Sequence, residues 1–538
     1  MKKVTKLSLL ALVVLTTACQ KTDLNTDYSN TTGWKYFDER TTNFEALAGV
    51  TSGTPTGMIP IQGGTFVLGE TDEFVVAPRD NAERSLTVTS FYMDKYEVTN
   101  LNWREYEHWM NIVFGNAAPQ LVTKVLPDTT VWREELAYND PYLENYYRHP
   151  AFSFYPVVGV SWEQAMDYCQ WRTDRVNELA LIQAGAIAYP PFEELQPTDD
   201  EAYKDEWEQT TGYLMDEYEV ADPYDPENTI MMYRPSFEYI RDKFVFNTEK
   251  YLAVGSYEPE YGRHPKLDSY GAERKVNRAD GILVTGYRLP TEAEWEFAAY
   301  APIAGEDGLT VEGKVYPWSG YHPRNMTAKQ QGQMQANFIR GKGDFMGVSG
   351  ALNDRYVITA PVNEYAPNDF GLYNMAGNVN EWVMDVYRAT SNQEVSEYNS
   401  FRGNIYSQPK RTRVEKEDGT VAEEFVIDSL GRIAIEFKGS DDKRDYRDGD
   451  FASLLNTDYP LDTTGVENLA AIKHDPTDIL APKITKNTRV YKGGSWKDRI
   501  YWLNPSTRRY LDQDKSSSTI GFRCAMSTVG NQIPSNTK

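Results

Sequence analysis

Cysteine and histidine are scarce in this 538-residue chain, which has three cysteines and five histidines. The histidines stand singly, and no two have the HxxxH spacing that places two imidazoles on one helix face. An isolated histidine is more often a surface or core residue than a metal ligand. The sequence therefore argues against an iron site built on clustered imidazoles. The five residues are His108, His149, His264, His322 and His474.

Basic residues are also in deficit, with 55 Lys and Arg against 79 Asp and Glu. The formal net charge is −24, and removal of the three N-terminal lysines described below would leave about −27. Nucleic acids and anionic lipid surfaces are poor partners for such a chain, and basic or cationic partners are better ones. Solubility alone is the alternative explanation for most of these charges.

Long apolar runs are absent except near the N-terminus, where lysines precede the run from Leu7 to Leu15. This run is too short for a mature membrane span and is typical of a secretory signal. Small residues lead directly to Cys19, which predicts cleavage there and a lipid on that cysteine. Thr16 departs from the usual lipobox leucine, and an ordinary signal peptide is the alternative. We expect residues 1–18 to be a lipoprotein signal peptide and 19–57 a polar tether.

Two cysteines remain if Cys19 carries lipid. Cys169 and Cys524 form an even pair in a chain expected to reach an oxidising compartment. We predict a disulfide that ties an early helix to the last strand. Two buried free thiols are the alternative.

The folded part is expected to begin near Met58. The string MIPIQGGTFVLG alternates apolar and polar positions around a Gly-Gly turn, as strands of a hairpin do. A second strand-like stretch, SFYMDKYEVTN, runs from Ser90 into a helix that we expect to start near Asn100, with Asn100 as its N-cap.

Two further helix starts are marked by capping residues. Ser161 precedes WEQAMDYCQW, and Thr291 precedes EAEW with Glu294 at the capping-box position. The first helix is expected to bury an apolar face composed of Ala165, Tyr168, Cys169 and Trp171.

Several ordered strings, RLPTEAEWEFAAY, YPWSG, ANF, NDFGLYNMAGNVNEW, YKGGSW and IGFRCAM, together resemble the formylglycine-generating-enzyme (FGE-sulfatase) family. The matches cover about 58–171, 286–390 and 488–528 in the family's order. The resemblance implies an irregular α+β fold related to the C-type lectin fold.

This resemblance also implies a domain organisation. We expect an FGE-like domain at 58–528 with insertions at 172–285 and 391–487, and a C-terminal tail at 529–538. The first insertion is acidic and rich in tyrosine, and the second is strongly polar. Both are expected to emerge from the surface as sites for partners. Disordered elaboration is the alternative, and it suits the second insertion better.

The family's enzymes hold copper(I) with two cysteines that follow the GGS motif, and this chain has Asp498 and Leu503 at the matching positions. Neither side chain is a soft ligand, so neither can replace a thiolate on copper(I). The resemblance therefore predicts a non-catalytic member without copper.

The resemblance implies up to two structural calcium ions. Hard oxygen ligands, including main-chain carbonyls, suit calcium. Ordinary caps or surface carboxylates are the alternative for the acidic members. The first set comprises Asn374, Gly377, Val379 and Glu381, and the second comprises Asn337, Phe338, Asp354 and Tyr356.

Other conspicuous residues are interpreted as architecture. Arg288 and Arg523 lie in apolar contexts and are expected to pair with buried carbonyls or carboxylates. Five tryptophans inside the motifs are expected to pack in the core, with sugar stacking as the alternative. They are Trp162, Trp295, Trp318, Trp382 and Trp496.

Within the family, the strings TGWKY, WRTDRVNE and DYRDGD resemble a subgroup of Bacteroidetes gliding-motility lipoproteins. That resemblance implies a structural component of the gliding and type IX secretion machinery, anchored by lipid to the outer membrane and facing the periplasm. The implied partners are other proteins of that machinery, such as GldK, with peptidoglycan as a further possibility and nucleic acid excluded. A calcium-dependent glycan or peptidoglycan binding module is the alternative.

Overall fold

A computed structural model describes residues 54–69, 80–81, 83–190, 192–221, 228–253, 266–267, 273–302, 314–326, 331–339, 354–388, 407–415, 421–437, 484 and 487–529. The predicted signal peptide, Cys19, almost all of the tether and most of 391–487 and of the tail lie outside these residues. The chain divides into two compact units. One contains 1–51, 180–188 and 260–283, and the other contains 52–179, 189–259 and 284–538. Every site discussed below belongs to the second unit.

Short strands and helices alternate with long loops, so the predicted α+β class is confirmed. The strands are β1 Met58–Ile61, β2 Gly64–Leu68, β3 Arg84–Val88, β4 Phe91–Asp94, β5 Met215–Ala221, β6 Thr229–Pro235, β7 Lys266–Leu267, β8 Glu273–Arg274, β9 Tyr287–Arg288, β10 Asn380–Val386, β11 Ser407–Pro409, β12 Arg411–Glu415, β13 Val421–Phe425, β14 Ile435–Phe437, β15 Thr488–Lys492, β16 Arg509–Asp512, β17 Ile520–Gly521 and β18 Ala525–Ser527. The α-helices are α1 Asn100–Phe114, α2 Pro119–Val125, α3 Asp140–Asn145, α4 Trp162–Gln183, α5 Glu201–Thr211, α6 Phe237–Lys243, α7 Thr248–Leu252 and α8 Glu292–Tyr300. Among the described residues, no helix is both long and apolar enough to cross a membrane.

Two four-stranded sheets bring distant motifs together. One has the order β1-β4-β18-β9 and the other β16-β15-β10-β17. In the second sheet, β10 pairs antiparallel with β15 and parallel with β17, which aligns Glu381 with Gly521. The NVNEW, YKGGSW and IGFRC motifs are therefore neighbours in space.

Side-chain caps start the helices as local sequence predicts in two of three cases. Thr291 and Glu294 form a reciprocal capping box at α8, and Ser161 exchanges hydrogen bonds with Gln164 at α4. The expected Asn100 cap is wrong by one residue. Thr99 caps α1 because its hydroxyl accepts from the main chain of Asn102.

The face predicted for α4 is buried in the largest apolar cluster. Tyr168 stacks on Trp103, with ring centroids 5.4 Å apart, and Phe522 meets Trp103 edge-on at 5.9 Å. The residues Ala165, Tyr168 and Cys169 are buried there, and Trp171 packs against them. This contact joins α1 and α4 to the C-terminal IGFRC segment.

The structure agrees with the core role predicted for Trp295 and Trp382 and with the pairing predicted for Arg288, whereas Trp162, Trp318 and Trp496 are half-buried. Trp295 and Trp382 are fully buried, and the half-buried Trp162 donates from Nε1 to the Val383 carbonyl at 2.8 Å. Arg288 forms a two-point ion pair with Glu294 at 2.6 and 2.7 Å. These residues stabilise the fold.

The two cysteines of the predicted disulfide are neighbours in the core, and the bond between them stays a prediction. Cys169 and Cys524 are both free thiols in the structure, and their sulfur atoms lie 3.5 Å apart. A disulfide needs about 2.05 Å. Burial raises the pKa of the Cys524 thiol well above its ordinary value, which keeps it protonated and a poor nucleophile.

Candidate functional site

The first predicted calcium set lies in the loop that enters β10. Asn374 and Asn378 have positive φ values of 53° and 64°, a conformation that asparagine tolerates better than most residues. Gly377 has φ 78°, and a Cβ atom there would lie 2.5 Å from the Asn337 carbonyl oxygen. Only glycine fits this close approach, which explains why residue 377 of the NMAGN motif is a glycine.

Glu381, the acidic member of that set, is fully engaged by protein groups. Its carboxylate forms a two-point ion pair with Arg523, at 2.5 and 2.7 Å. Trp295 adds a third hydrogen bond from Nε1 at 2.8 Å. The ion pair is almost completely buried, which confirms the partner class expected for Arg523.

Glu97 joins this buried cluster, and the sequence reasoning missed it. It is 2% exposed and accepts hydrogen bonds from the side-chain amides of Asn374, at 2.8 Å, and Asn378, at 3.1 Å. Burial, and then the negative charge of Glu381, raise the pKa of Glu97 to about 8. The sequence did contain a signal for a buried carboxyl group, because Glu97 lies between the apolar residues Tyr96 and Val98.

The cluster holds two carboxyl groups and one guanidinium group. Glu97 and Glu381 supply two carboxylates, and Arg523 supplies one positive charge, so an ionised Glu97 has no full counter-charge among these residues. The raised pKa keeps Glu97 largely protonated at neutral pH, and a divalent ion beside the Asn374 and Gly377 oxygens would favour its ionised form. Within the described part of the chain, no three His, Cys, Asp or Glu side chains converge on a metal position. Any ion here would therefore depend on carboxamide and main-chain oxygens.

The second predicted set is partly assembled beside the first. The Asn337 main-chain oxygen accepts from the Asn378 N–H at 2.9 Å, and its side chain donates to the Ile358 carbonyl at 2.7 Å. Phe338 is buried. Asp354 accepts at 3.3 Å from the main chain of Tyr356. The two halves of this set flank residues 340–353, which lie outside the described ranges.

Asp498, the first position matched to a copper ligand, is held in a polar network. Arg509 pairs with both of its oxygens, at 2.6 and 2.7 Å, and Ser495 donates from its N–H and hydroxyl at 2.9 and 2.6 Å. Burial by itself would raise the pKa of Asp498, but the hydrogen bonds and charge of Arg509 outweigh it, so this pKa lies below the ordinary 3.8.

Leu503, the second such position, is fully buried in an apolar cluster. Its neighbours there include Tyr316, Phe338 and Ala376, with Trp318 packed against the cluster. The structure thus places Asp498 in an ion pair and Leu503 in the core. Neither can supply a thiolate.

A cleft of about 680 Å³ opens beside these clusters. Its lining contains Asp354 from the second calcium set and Asn374 from the first, together with Trp318, Tyr321 and Arg324. Carboxylate, amide, guanidinium and aromatic groups thus face one space.

Comparison with known families gives a match over residues 43–435 to the FGE-sulfatase family, described as the sulfatase-modifying factor enzyme 1-like domain. The chain belongs to the FGE-sulfatase family. The matched range stops before Asp498 and Leu503, so membership in the FGE-sulfatase family does not depend on these two positions.

Relatives within the FGE-sulfatase family include enzymes and an inactive paralogue. The formylglycine-generating enzyme of Mus musculus is 32% identical over 200 residues, covering 32% of this chain and 49% of that protein. That of Thermomonospora curvata is 42% identical over 104 residues, covering 19% and 29%. The inactive Cα-formylglycine-generating enzyme 2 of Bos taurus is 41% identical over 105 residues, covering 19% and 28%. The chain spans about half or less of these relatives, and their names alone do not decide whether it catalyses.

Among solved structures, PvdO from Pseudomonas aeruginosa aligns over 88% of this chain and 94% of its own, with 14% identity and a TM-score of 0.37. Similarity at this level adds nothing to the family assignment.

Proposed function

We propose that this chain is a non-catalytic structural member of the FGE-sulfatase family, working in the gliding-motility and type IX secretion machinery of Bacteroidetes. The observation that supports the absence of catalysis is the environment of the two positions matched to copper ligands. Asp498 is bound by Arg509 and Ser495, and Leu503 is sealed in the core. Copper(I) needs soft ligands, which these side chains do not offer.

The cellular role is proposed from the sequence. The strings TGWKY, WRTDRVNE and DYRDGD resemble the gliding lipoprotein GldJ, and the sister lipoprotein GldK (PorK) is the nearest competing assignment. In this role Cys19 carries lipid in the outer membrane, the folded part faces the periplasm, and the partners are other gliding and secretion proteins such as GldK.

Both segments proposed as insertions supply surface anchored to the core. In the first, Tyr239 and Phe244 belong to the same buried cluster as Phe114 of α1. In the second, Arg432 forms an ion pair with Asp167 of α4 at 2.9 Å. Anchored segments of this kind present defined surfaces to partners, which suits a scaffold.

A formylglycine assay tests the non-catalytic part. The full chain, supplied with copper and a sulfatase peptide that contains the target cysteine, is expected to leave the peptide unchanged by mass spectrometry. A formylglycine-generating enzyme is the positive control. Conversion of the peptide would refute the interpretation of Asp498 and Leu503.

Co-purification tests the scaffold part. Tagged chain extracted from outer membranes in detergent is expected to retain gliding or secretion proteins at fixed stoichiometry. A parallel Cys19→Ala variant is expected to leave the membrane fraction, because a single lipid anchor is then lost. Recovery of the parent chain without any protein partner would count against a scaffold.

Calcium is proposed as a structural ion at one or both predicted sets. The support is the oxygen-rich loop around Asn374 and Gly377 and the buried Glu97 carboxyl group beside it. In this role the ion would brace long loops that have few regular hydrogen bonds. No copper is expected.

The cleft beside Trp318 favours a second candidate, a calcium-dependent module for glycan or peptidoglycan. Residues from both predicted calcium sets line the same space as Trp318 and Tyr321, and aromatic rings can stack on sugars. The expected relation of this fold to C-type lectins, itself still a prediction, points the same way. Calcium-dependent retention on peptidoglycan, lost in a Tyr321→Ala variant and without protein partners, would favour this candidate.

A further inference from the structure

The hairpin of β5 and β6 is anchored on one face. Met215 and Tyr233 are buried in the largest apolar cluster together with Trp207 of α5. Lys204 of α5 pairs with Glu217 and lies 4.9 Å from the centre of the Tyr233 ring. Glu217 and Tyr233 are opposite each other in the register, so α5 contacts the face that carries them.

The opposite face presents apolar side chains that are only partly covered. Tyr218 pairs with Met232, and Val220 pairs with Ile230, and alternation along a strand places all four away from α5. None is buried, and Val220 is 43% exposed. The hairpin thus has an anchored face and an open face, on which these four residues lie beside the Asp216–Arg234 ion pair.

One edge of the hairpin is hydrogen-bonded to another segment, and the other has no strand partner among the described residues. Thr198 and Tyr233 exchange two main-chain hydrogen bonds, at 2.9 and 2.7 Å, on the outer side of β6. Since pairing alternates along antiparallel strands, Tyr233 and its opposite residue Glu217 both direct their main-chain groups outward. Glu219 does the same on β5. Among the described residues, no strand pairs with β5 on that side.

The start of β5 supports this assignment. Met215 belongs to the same alternating set as Glu217 and Glu219, and its N–H donates to the Glu208 carboxylate at 2.8 Å instead of to β6. The main-chain groups of Glu217 and Glu219 therefore form a short open edge.

The surroundings of this edge are strongly acidic. Residues 199–221 and 228–235 contain nine acidic and two basic side chains, which gives a net charge of −7. Both basic side chains are already paired, Lys204 with Glu217 and Arg234 with Asp216. The acidic residues are Asp199, Asp200, Glu201, Asp205, Glu206, Glu208, Asp216, Glu217 and Glu219.

We propose that the free edge of β5 binds an extended basic segment of a partner protein as an added strand. In that strand apolar and Lys or Arg side chains alternate. The apolar ones extend the open face beside Tyr218 and Val220, and the basic ones lie beside Glu217 and Glu219. The same two glutamates disfavour pairing with a second copy of the chain, because like charges would then oppose each other.

The test uses the full chain in detergent and a fluorescent ten-residue peptide of alternating lysine and valine. A peptide with five lysines followed by five valines and a peptide of alternating glutamate and valine are the comparison probes. Fluorescence anisotropy is expected to show binding of the alternating basic peptide alone, with affinity that falls as salt rises.

Glu219→Pro is the decisive variant. Proline removes the outward N–H of residue 219 without removing a hydrogen bond between β5 and β6. Binding is expected to weaken at least tenfold, while amide exchange at Ile230 and Met232 stays slow and shows that the hairpin persists. The double variant Glu217→Gln, Glu219→Gln should bind the peptide more weakly, and its affinity should depend less on salt concentration. The control Glu135→Gln, at an exposed residue, should change neither the affinity nor its salt dependence.

Three outcomes overturn the proposal. They are equal binding by the Glu219→Pro variant, equal binding of either comparison peptide, and a dimer of the chain that the Glu219→Pro change dissolves. The inference rests on the proposed scaffold role, since a scaffold needs surfaces that bind partner proteins. A chain that fails the peptide test but still co-purifies with protein partners loses this surface and keeps the scaffold role.

Discussion

Asp498 shows at the scale of one residue how several partners stabilise a half-buried carboxylate. Its carboxylate accepts from both terminal nitrogens of Arg509 and from Ser495 and Asn380. Asp498→Asn keeps the size but removes the charge, and we expect it to lower the free energy of unfolding by about 2–3 kcal/mol. Urea denaturation measures this. Glu134→Gln, which breaks an exposed pair with Lys497, is the control and should cost less than about 1 kcal/mol.

The lowered pKa of Asp498 also gives this effect a pH dependence. A carboxyl group whose pKa is lower in the folded state adds stability above its unfolded pKa, near 3.8, and loses it as pH falls further. The difference between the parent chain and Asp498→Asn is therefore expected to be constant from pH 5 to 7 and to shrink below pH 4. A difference that grows on acidification would contradict the assigned ion pair.

Leu503 carries a separate prediction because it is fully buried. Leu503→Ala should lower the free energy of unfolding by about 2–5 kcal/mol, since it removes apolar contacts and leaves a cavity. Leu503→Met preserves volume and should cost less than about 1.5 kcal/mol. Similar costs for both variants would mean that position 503 does not pack as described.

At the scale of elements, the capping box of α8 is the clearest target. Thr291 accepts from the Glu294 N–H, and Glu294 accepts from the Thr291 N–H. Thr291→Ala should destabilise the chain by about 1 kcal/mol, and Thr291→Ser, which keeps the hydroxyl, by less. Thermal unfolding followed by circular dichroism measures the order of the three midpoints. An alanine variant as stable as the parent would show that water replaces the cap without cost.

Helix starts are also where local sequence predicted structure best. In each cap the two hydrogen-bonded residues are three positions apart, Thr291 with Glu294 and Ser161 with Gln164. A short stretch of sequence therefore contains both partners. The error at Asn100 has the same local origin, because the adjacent Thr99 is also a preferred N-cap residue. The hydrogen bonds from Asn100 to the carbonyls of Tyr146 and Phe152 employ its side chain elsewhere.

At the scale of the whole molecule, calcium should act as a brace between distant segments. If the ion binds the folded chain alone, saturating calcium at about 100 times Kd adds about 2.7 kcal/mol to the free energy of unfolding. The midpoint of thermal unfolding is expected to be higher in calcium than in EGTA, and Asn374→Ala should reduce that difference. Comparing calcium with EGTA within each variant removes any general effect of the substitution. Equal midpoints for the parent chain would refute a structural calcium ion.

The sequence by itself determined the identity of the motifs, their order and the local starts of α4 and α8. It also determined that positions 498 and 503 carry no thiol, since they are aspartate and leucine. Burial of the α4 face followed from apolar spacing, because residues on neighbouring turns of one helix share a face.

Only the tertiary structure decided which distant groups meet. Glu97 lies 277 residues from its partner Asn374, and Arg523 lies 142 residues from Glu381, separations over which no local pattern specifies a partner. The same holds for Cys169 and Cys524, whose contact the sequence suggested but whose sulfur distance it did not set. The free edge of β5 is likewise a product of pairing, since strand register decides which main-chain groups face outward.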